Sequence, residues 1–145
     1  MIVISAFPGT GKTYYRRNCP YNKSVADSDS RFFSRSDIWP LNYVNMIQVM
    51  YDEERFDIML VSSHLEVRAA LAVAKIPYHI VYPSIGLKHE YLRRYVDRGS
   101  SSEFVGLLDA KWHEWIRSMA CDMGCETKTL LKSNQYLSDV LPKLI

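Results

Sequence analysis

The residues with the clearest capacity for chemistry stand at the start of the chain. Ala6-Phe7-Pro8-Gly9-Thr10-Gly11-Lys12-Thr13 follows the spacing G-x-x-x-x-G-K-[ST], with alanine at the first position. A backbone folded this way turns successive N–H groups toward one point, and a helix beginning there adds its positive end, so the stretch suits a phosphate chain. Pro8, Gly9, Thr10, Gly11, Lys12 and Thr13 are the expected phosphate-binding residues. Lys12 would reach the β- and γ-phosphates of ATP as a flexible point charge, and the Thr13 hydroxyl would join the shell of a magnesium ion. Pro8-Gly9 supplies a sharp turn and Gly11 a close backbone approach. Alanine at position 6 costs little as long as its φ stays negative.

Other candidates follow along the chain. Ala26-Asp27-Ser28-Asp29-Ser30-Arg31 places two carboxylates two residues apart, on one face of an extended segment. Beside a triphosphate, Asp27 would support magnesium through water. Asp29 would accept a hydrogen bond or proton from the phosphoryl acceptor, with Arg31 close by. Val61-Ser62-Ser63-His64 ends an apolar run without the acid of a Walker B motif, since Asp57 lies at the opposite end. Ser62, Ser63 or Asp27 would have to replace that support. Ser63, His64 and Arg68 are candidates for acceptor binding, His64 and Arg68 being four apart on one helix face. A basic stretch, Lys88-His89-Glu90-Tyr91-Leu92-Arg93-Arg94-Tyr95-Val96-Asp97-Arg98-Gly99, stacks Arg94 and Arg98 at helical spacing. Arginines on a mobile helix and loop would close over a γ-phosphate and neutralise transition-state charge. Trp112 and Trp115 read as core anchors.

These residues need elements to position them, and apolar periodicity supplies an alternation from end to end. Strands are expected at 1–6, 24–29, 57–62, 78–82 and 128–131. Helices are expected at 14–18, 41–55, 64–75, 87–98, 103–123 and 134–144. The pattern predicts an α/β domain spanning residues 1–145, with about five parallel strands, helices on both faces and ligands beyond the carboxyl ends of the strands. Residues 98–102 are the expected mobile stretch.

Composition excludes several classes. At 145 residues and 16.8 kDa, with 48% hydrophobic and 23% charged residues, the chain suits one domain with a sizeable core. A net charge of +2 is too mild for duplex binding by bulk electrostatics. No apolar run approaches membrane-spanning length, and an apolar strand starting at Met1 leaves no room for a signal peptide. Cys19, Cys121 and Cys125 are an odd, sparse set, which favours reduced thiols in a cytoplasm. Cys121-x-x-x-Cys125 lacks a second ligand pair, so no metal site is expected there.

Taken together, residues 7–13, 25–33, 61–68, 81–83, 90–99, 112–116 and 136–140, with Asn42-Tyr43, resemble the small P-loop kinases of bacteriophages. They are also similar to the wider group of nucleoside monophosphate, shikimate, gluconate and polynucleotide kinases. The resemblance implies a three-layer P-loop NTPase fold, ATP and Mg2+ as cofactors, an acceptor site around Asp29 and Arg68, and a short lid near residues 88–103 carrying Arg94 and Arg98. The leading expectation is phosphoryl transfer from ATP-magnesium to a small nucleotide-type acceptor in a (host) cytoplasm, by a monomer or dimer. One alternative is a hydroxyl acceptor (a nucleoside, a modified base or a polynucleotide 5′-end) with Asp29 as base. Nucleic acid enters only under that alternative. Another is a nucleotide-binding module without catalysis. The departures from the family are Ala6 and the missing Walker B acid.

Overall fold

Five strands align in parallel in the order β2-β3-β1-β4-β5, which places β1 at the centre. The structure, a computed structural model, describes residues 1–19, 22–28 and 37–145. The strands are β1 (Ile2–Ala6), β2 (Val25–Asp27), β3 (Ile58–Val61), β4 (Tyr78–Pro83) and β5 (Thr127–Leu131). Between and after them lie α1 (Lys12–Arg17), α2 (Leu41–Asp52), α3 (Leu65–Val73), α4 (Lys88–Asp97), α5 (Ser102–Ala120) and α6 (Leu137–Val140). The expected alternation and the parallel sheet are therefore both present.

Because successive side chains of a strand point to opposite faces, continuous apolar runs feed two cores. Val3, Met59, Val61 and Ile80 join the larger one, with side chains from α2, α3, α4 and α5. Ile4, Ala6, Leu60, Val81 and Leu131 join the smaller, with Tyr15 of α1 and Leu137 and Val140 of α6. Helices thus cover both faces, consistent with a three-layered α/β arrangement. Among the described residues no helix is long and apolar enough to cross a membrane.

Most elements are trimmed at their ends, and β2 and the closing helix are shortened most in proportion. β2 covers three residues and stops at Asp27. The closing helix starts at Leu137, after Asn134 takes a left-handed turn (φ 62°), and passes into a 3-10 turn at Leu141–Lys143. Pro142 lacks the N–H that a longer α-helix would require.

Arg68, expected in acceptor binding, is held in a buried ion pair. Its side chain is 1% exposed and reaches from α3 to the carboxyl-terminal end of α5. There it meets Asp122 at 2.6 Å, donates to the Ser118 carbonyl and hydroxyl, and donates from Nε to the Ser63 carbonyl. Asp122 also accepts from the Tyr78 hydroxyl and from the backbone N–H groups of Gly124 and Cys125. Helical spacing put Arg68 on one face with His64, but that face looks into the α3–α5 interface.

Burial pushes the Asp122 carboxyl up, yet the bonds from Arg68, Tyr78 and Gly124 outweigh it and hold it below the ordinary aspartate value. A depressed folded pKa stabilises the protein above the unfolded value of about 4 and loses that contribution as pH falls through the folded one. Urea midpoints should thus fall steeply below about pH 4, and Asp122→Asn should flatten that fall.

Candidate phosphate-binding site

The β1–α1 connection is built by local chemistry. Phe7-Pro8-Gly9-Thr10 forms a turn in which the Phe7 carbonyl accepts from the Thr10 N–H at 3.3 Å, with proline second and glycine third at φ 87°. This is the residue choice of a type II turn, where the third position needs positive φ. Gly11 is left-handed too (φ 92°) and caps α1. Ala6 is a strand residue paired with Val81 and keeps negative φ, so alanine in place of the usual glycine is tolerated.

Every carbonyl from residue 6 to residue 11 is tied to the protein. Ala6 accepts from Lys12 Nζ (3.0 Å), Phe7 from the Thr10 hydroxyl (2.7 Å), and Pro8 from the Tyr95 hydroxyl (2.8 Å). Gly9 accepts from Arg94 (2.9 Å), Thr10 from the Leu137 N–H (2.9 Å), and Gly11 from the Tyr15 N–H (2.9 Å). The N–H groups of Gly9, Gly11 and Thr13, by contrast, make no hydrogen bond among the described residues. A loop with its acceptors turned into the protein and its donors left over has the donor pattern that anion-binding loops use. Thr10 is fully buried and its hydroxyl is already bonded, so it serves the scaffold through its backbone.

Thr13 and Asp27, the expected metal pair, are brought together: the Thr13 hydroxyl donates to Asp27 Oδ2 at 3.2 Å. Two hard oxygens beside a phosphate receptor are the donors magnesium takes. No cluster of three or more His, Cys, Asp or Glu suited to a metal occurs among the described residues. Asp57 lies at the opposite end of β3, holding Ser24, as expected. Asp29 and Arg31 lie outside the described residues.

Arg94 and Arg98 take different positions from the shared mobile role expected of them. Arg94 is 11% exposed and its guanidinium lies between two rings, 4.2 Å from the Tyr91 centroid and 3.9 Å from that of Tyr136. It binds the Gly9 and Gln135 carbonyls and Glu90. Glu90 in turn accepts from the Ser133 hydroxyl (2.5 Å) and the Asn134 N–H. The Ser133 bond is the main reason that the Glu90 carboxyl sits below its ordinary range. Glu90 and Arg94 therefore clasp the 132–136 loop to the 8–13 loop. Arg98 is exposed, with Nε on the Ser100 hydroxyl and its guanidinium 5.0 Å from the Tyr95 centroid.

The clasp explains both glycines a second time. A Cβ on Gly9 would stand 2.7 Å from Tyr95 and one on Gly11 3.1 Å from Tyr136. The sequence reading missed Glu90, Tyr95 and Tyr136. The i, i+4 spacing of Glu90 and Arg94 was the available signal, since such pairs face one another on a helix.

The two arginines should separate in mutagenesis. Arg94→Ala removes a nearly buried charged donor and should cost about 1.5–3 kcal/mol of folding stability. Arg98→Ala should change stability by less than about 1 kcal/mol, as exposed charges do. Thermal melts of the two variants check this directly.

Ser63 and His64 follow the carboxyl end of β3. Ser5 Oγ donates to the Ser62 carbonyl (2.9 Å), linking that end to β1. The His64 N–H donates to Ser62 Oγ (3.3 Å) as α3 begins. The His64 ring lies between two tryptophans, Trp39 and Trp115, at 6.3 Å from each. Trp112 is a fully buried core anchor, as expected, whereas Trp115 is half-buried.

Comparison with known proteins adds the fold. No protein-family model and no curated protein matches this chain. Among solved structures it is similar to an uncharacterized protein from Eubacterium ventriosum ATCC 27560, with a TM-score of 0.52 at 12% identity over 99% of this chain and 94% of that one. At that identity the likeness speaks for the α/β fold.

Proposed function

We propose that this chain is a small P-loop kinase that transfers a phosphoryl group from ATP-magnesium to a small nucleotide-type acceptor. One observation carries the reading: all six carbonyls from Ala6 to Gly11 have protein partners, while the N–H groups of Gly9, Gly11 and Thr13 have none among the described residues. Such a receptor takes a polyanion, and Lys12 stands within the same loop to supply the charge. Its Nζ rests on the Ala6 carbonyl, a neutral acceptor that a phosphate oxygen would outcompete, because the ammonium then meets an opposite full charge and not only a dipole.

Thr13 Oγ1 and Asp27 would hold magnesium, which when bound neutralises charge on the phosphate oxygens. The residues of the chain do the rest. The 8–13 loop is held rigid by Tyr95, Arg94 and Leu137, so its donors are preorganised and need no rearrangement as charge develops. Lys12 follows the transferring group on its flexible stem. Arg98, exposed at the 98–101 connection between α4 and α5, would be the arginine that swings over the loop, while Arg94 would organise the loop from its flank.

The test is transfer of label from [γ-32P]ATP across an acceptor panel of nucleoside monophosphates, nucleosides, sugars and 5′-hydroxyl oligonucleotides. Labelled nucleoside diphosphate is the expected product. Transfer confined to hydroxyl acceptors, lost by about 10²–10⁴-fold in Asp29→Asn, would instead assign general-base chemistry to Asp29. No transfer to any acceptor would overturn the proposal.

A further inference from the structure

The N–H groups of Gly9, Gly11 and Thr13, unpaired among the described residues, belong to three peptide planes held by three different elements. In a planar trans peptide the C=O and the following N–H point in opposite directions, so a bond that fixes the carbonyl also aims the N–H. The Gly9 N–H shares its plane with the Pro8 carbonyl, which accepts from the Tyr95 hydroxyl of α4 at 2.8 Å. The Gly11 N–H shares its plane with the Thr10 carbonyl, which accepts from the Leu137 N–H of α6 at 2.9 Å. The Thr13 N–H shares its plane with the Lys12 carbonyl at the start of α1, where the helix ladder sets its direction.

The other side chains that hold carbonyls of this loop aim no free donor. Arg94 holds the Gly9 carbonyl, whose plane carries the Thr10 N–H, already bonded to the Phe7 carbonyl. The Thr10 hydroxyl holds the Phe7 carbonyl, whose plane ends in Pro8, which has no N–H. Lys12 holds the Ala6 carbonyl, whose plane carries the Phe7 N–H, already bonded to Val81. That leaves Tyr95 as the side chain that directs an unpaired donor. It is 0% exposed, set edge-on between Tyr91 and Phe104 with centroids 6.4 Å and 5.3 Å away. Burial pushes its phenol well above the ordinary range, so the hydroxyl keeps its proton and donates. Tyr91, one turn earlier on α4, flanks the same glycine and is equally buried, yet its hydroxyl has no hydrogen-bond partner among the described residues. Of two buried phenols beside Gly9, only one bonds the loop.

We propose that Tyr95 is a positioning residue, whose hydroxyl acts through the Pro8 carbonyl to aim the Gly9 N–H at the phosphates of ATP. The inference rests on the kinase reading above, and it names the contact that orients one donor of that site. The loop is thereby armed only while α4 stays docked, because a displaced Tyr95 would free the Pro8–Gly9 peptide to turn.

Two matched substitutions test it in the full chain, Tyr95→Phe and Tyr91→Phe, each removing one oxygen from a buried ring beside Gly9. In calorimetric titration with ATP-magnesium, Tyr95→Phe should bind about tenfold more weakly than Tyr91→Phe, the low end of the fold-change for one bond to a charged group. Amide spectra should show where the loss lies. On addition of ATP-magnesium the Gly9 proton should move in Tyr91→Phe and far less in Tyr95→Phe, while the Gly11 proton moves in both. A role confined to stability would lower the melting temperature of Tyr95→Phe and leave its Gly9 response intact. Equal affinities of the two variants, or a full Gly9 response in Tyr95→Phe, would overturn the inference.

If Tyr95→Phe fails to fold, the unaltered chain still decides. Its Tyr95 hydroxyl proton, buried and bonded, should move when ATP-magnesium binds, because the Pro8–Gly9 peptide polarises as it gains a bond at each end. A hydroxyl proton that stays in place at saturation would overturn the inference. A Gly9 response independent of Tyr95, with label transferred to an acceptor, would overturn this inference and leave the kinase reading standing. A Tyr95-dependent response without transfer to any acceptor would do the reverse.

Discussion

Replacing Lys12 with alanine should lower phosphoryl-transfer turnover by about 10²–10³-fold, equivalent to ~3–4 kcal/mol of transition-state stabilisation, the scale seen when one preorganised donor is removed. The folded state should barely notice. Lys12 Nζ donates to the Ala6 carbonyl, and a typical net hydrogen bond contributes only about 1 kcal/mol. Lys12→Arg should not restore activity, since a planar fork cannot replace a compact ammonium on a flexible stem. The result to watch is the split between turnover and melting temperature. Wild-type turnover in folded Lys12→Ala would remove this lysine from the chemistry.

The largest effect on stability belongs to Arg68. Arg68→Ala would leave Asp122, 6% exposed, as a buried carboxylate stripped of its cation. Breaking a buried pair from one side costs about 3–5 kcal/mol. For a chain of this length that is a fall on the order of 10 °C in melting temperature. Tyr78, Gly124 and Cys125 still bond the carboxylate, which favours the lower end of the range. The double variant Arg68→Met, Asp122→Leu should recover much of the loss, because a buried pair contributes little over well-packed apolar side chains. If Arg68→Ala instead melted normally and lost acceptor binding, Arg68 would return to the acceptor site.

The local parts of this architecture were legible in the sequence, and the long-range parts were not. An apolar run, a Pro-Gly turn and Gly-Lys-Thr are neighbours in the chain, so β1, its loop and the start of α1 could be read from adjacent residues. The parallel sheet followed from apolar runs alternating with helical periodicity. The surroundings of Arg68 were hidden because its partner stands 54 residues away, just past the far end of α5. Those of Arg94 were hidden for the same reason: Gly9, Gln135 and Tyr136 meet it only once α4 and the 132–136 loop fold over the β1–α1 turn. Charge at helical spacing resembles a solvated or mobile face until tertiary contacts enclose it. Trp112 and Trp115 differ by three positions on α5, enough to send one ring into the core and leave the other beside His64 at its edge.

The central claim is that the unpaired N–H groups of the 8–13 loop receive the phosphates of ATP. Amide 1H–15N spectra of the isotopically labelled chain test it most directly. On addition of ATP-magnesium, the amide protons of Gly9, Gly11 and Thr13 should move downfield as they gain charged acceptors. Those of Phe7, Thr10 and Tyr15, already bonded within the protein, should move far less. Saturating ATP-magnesium that leaves the Gly9, Gly11 and Thr13 resonances in place would contradict the account.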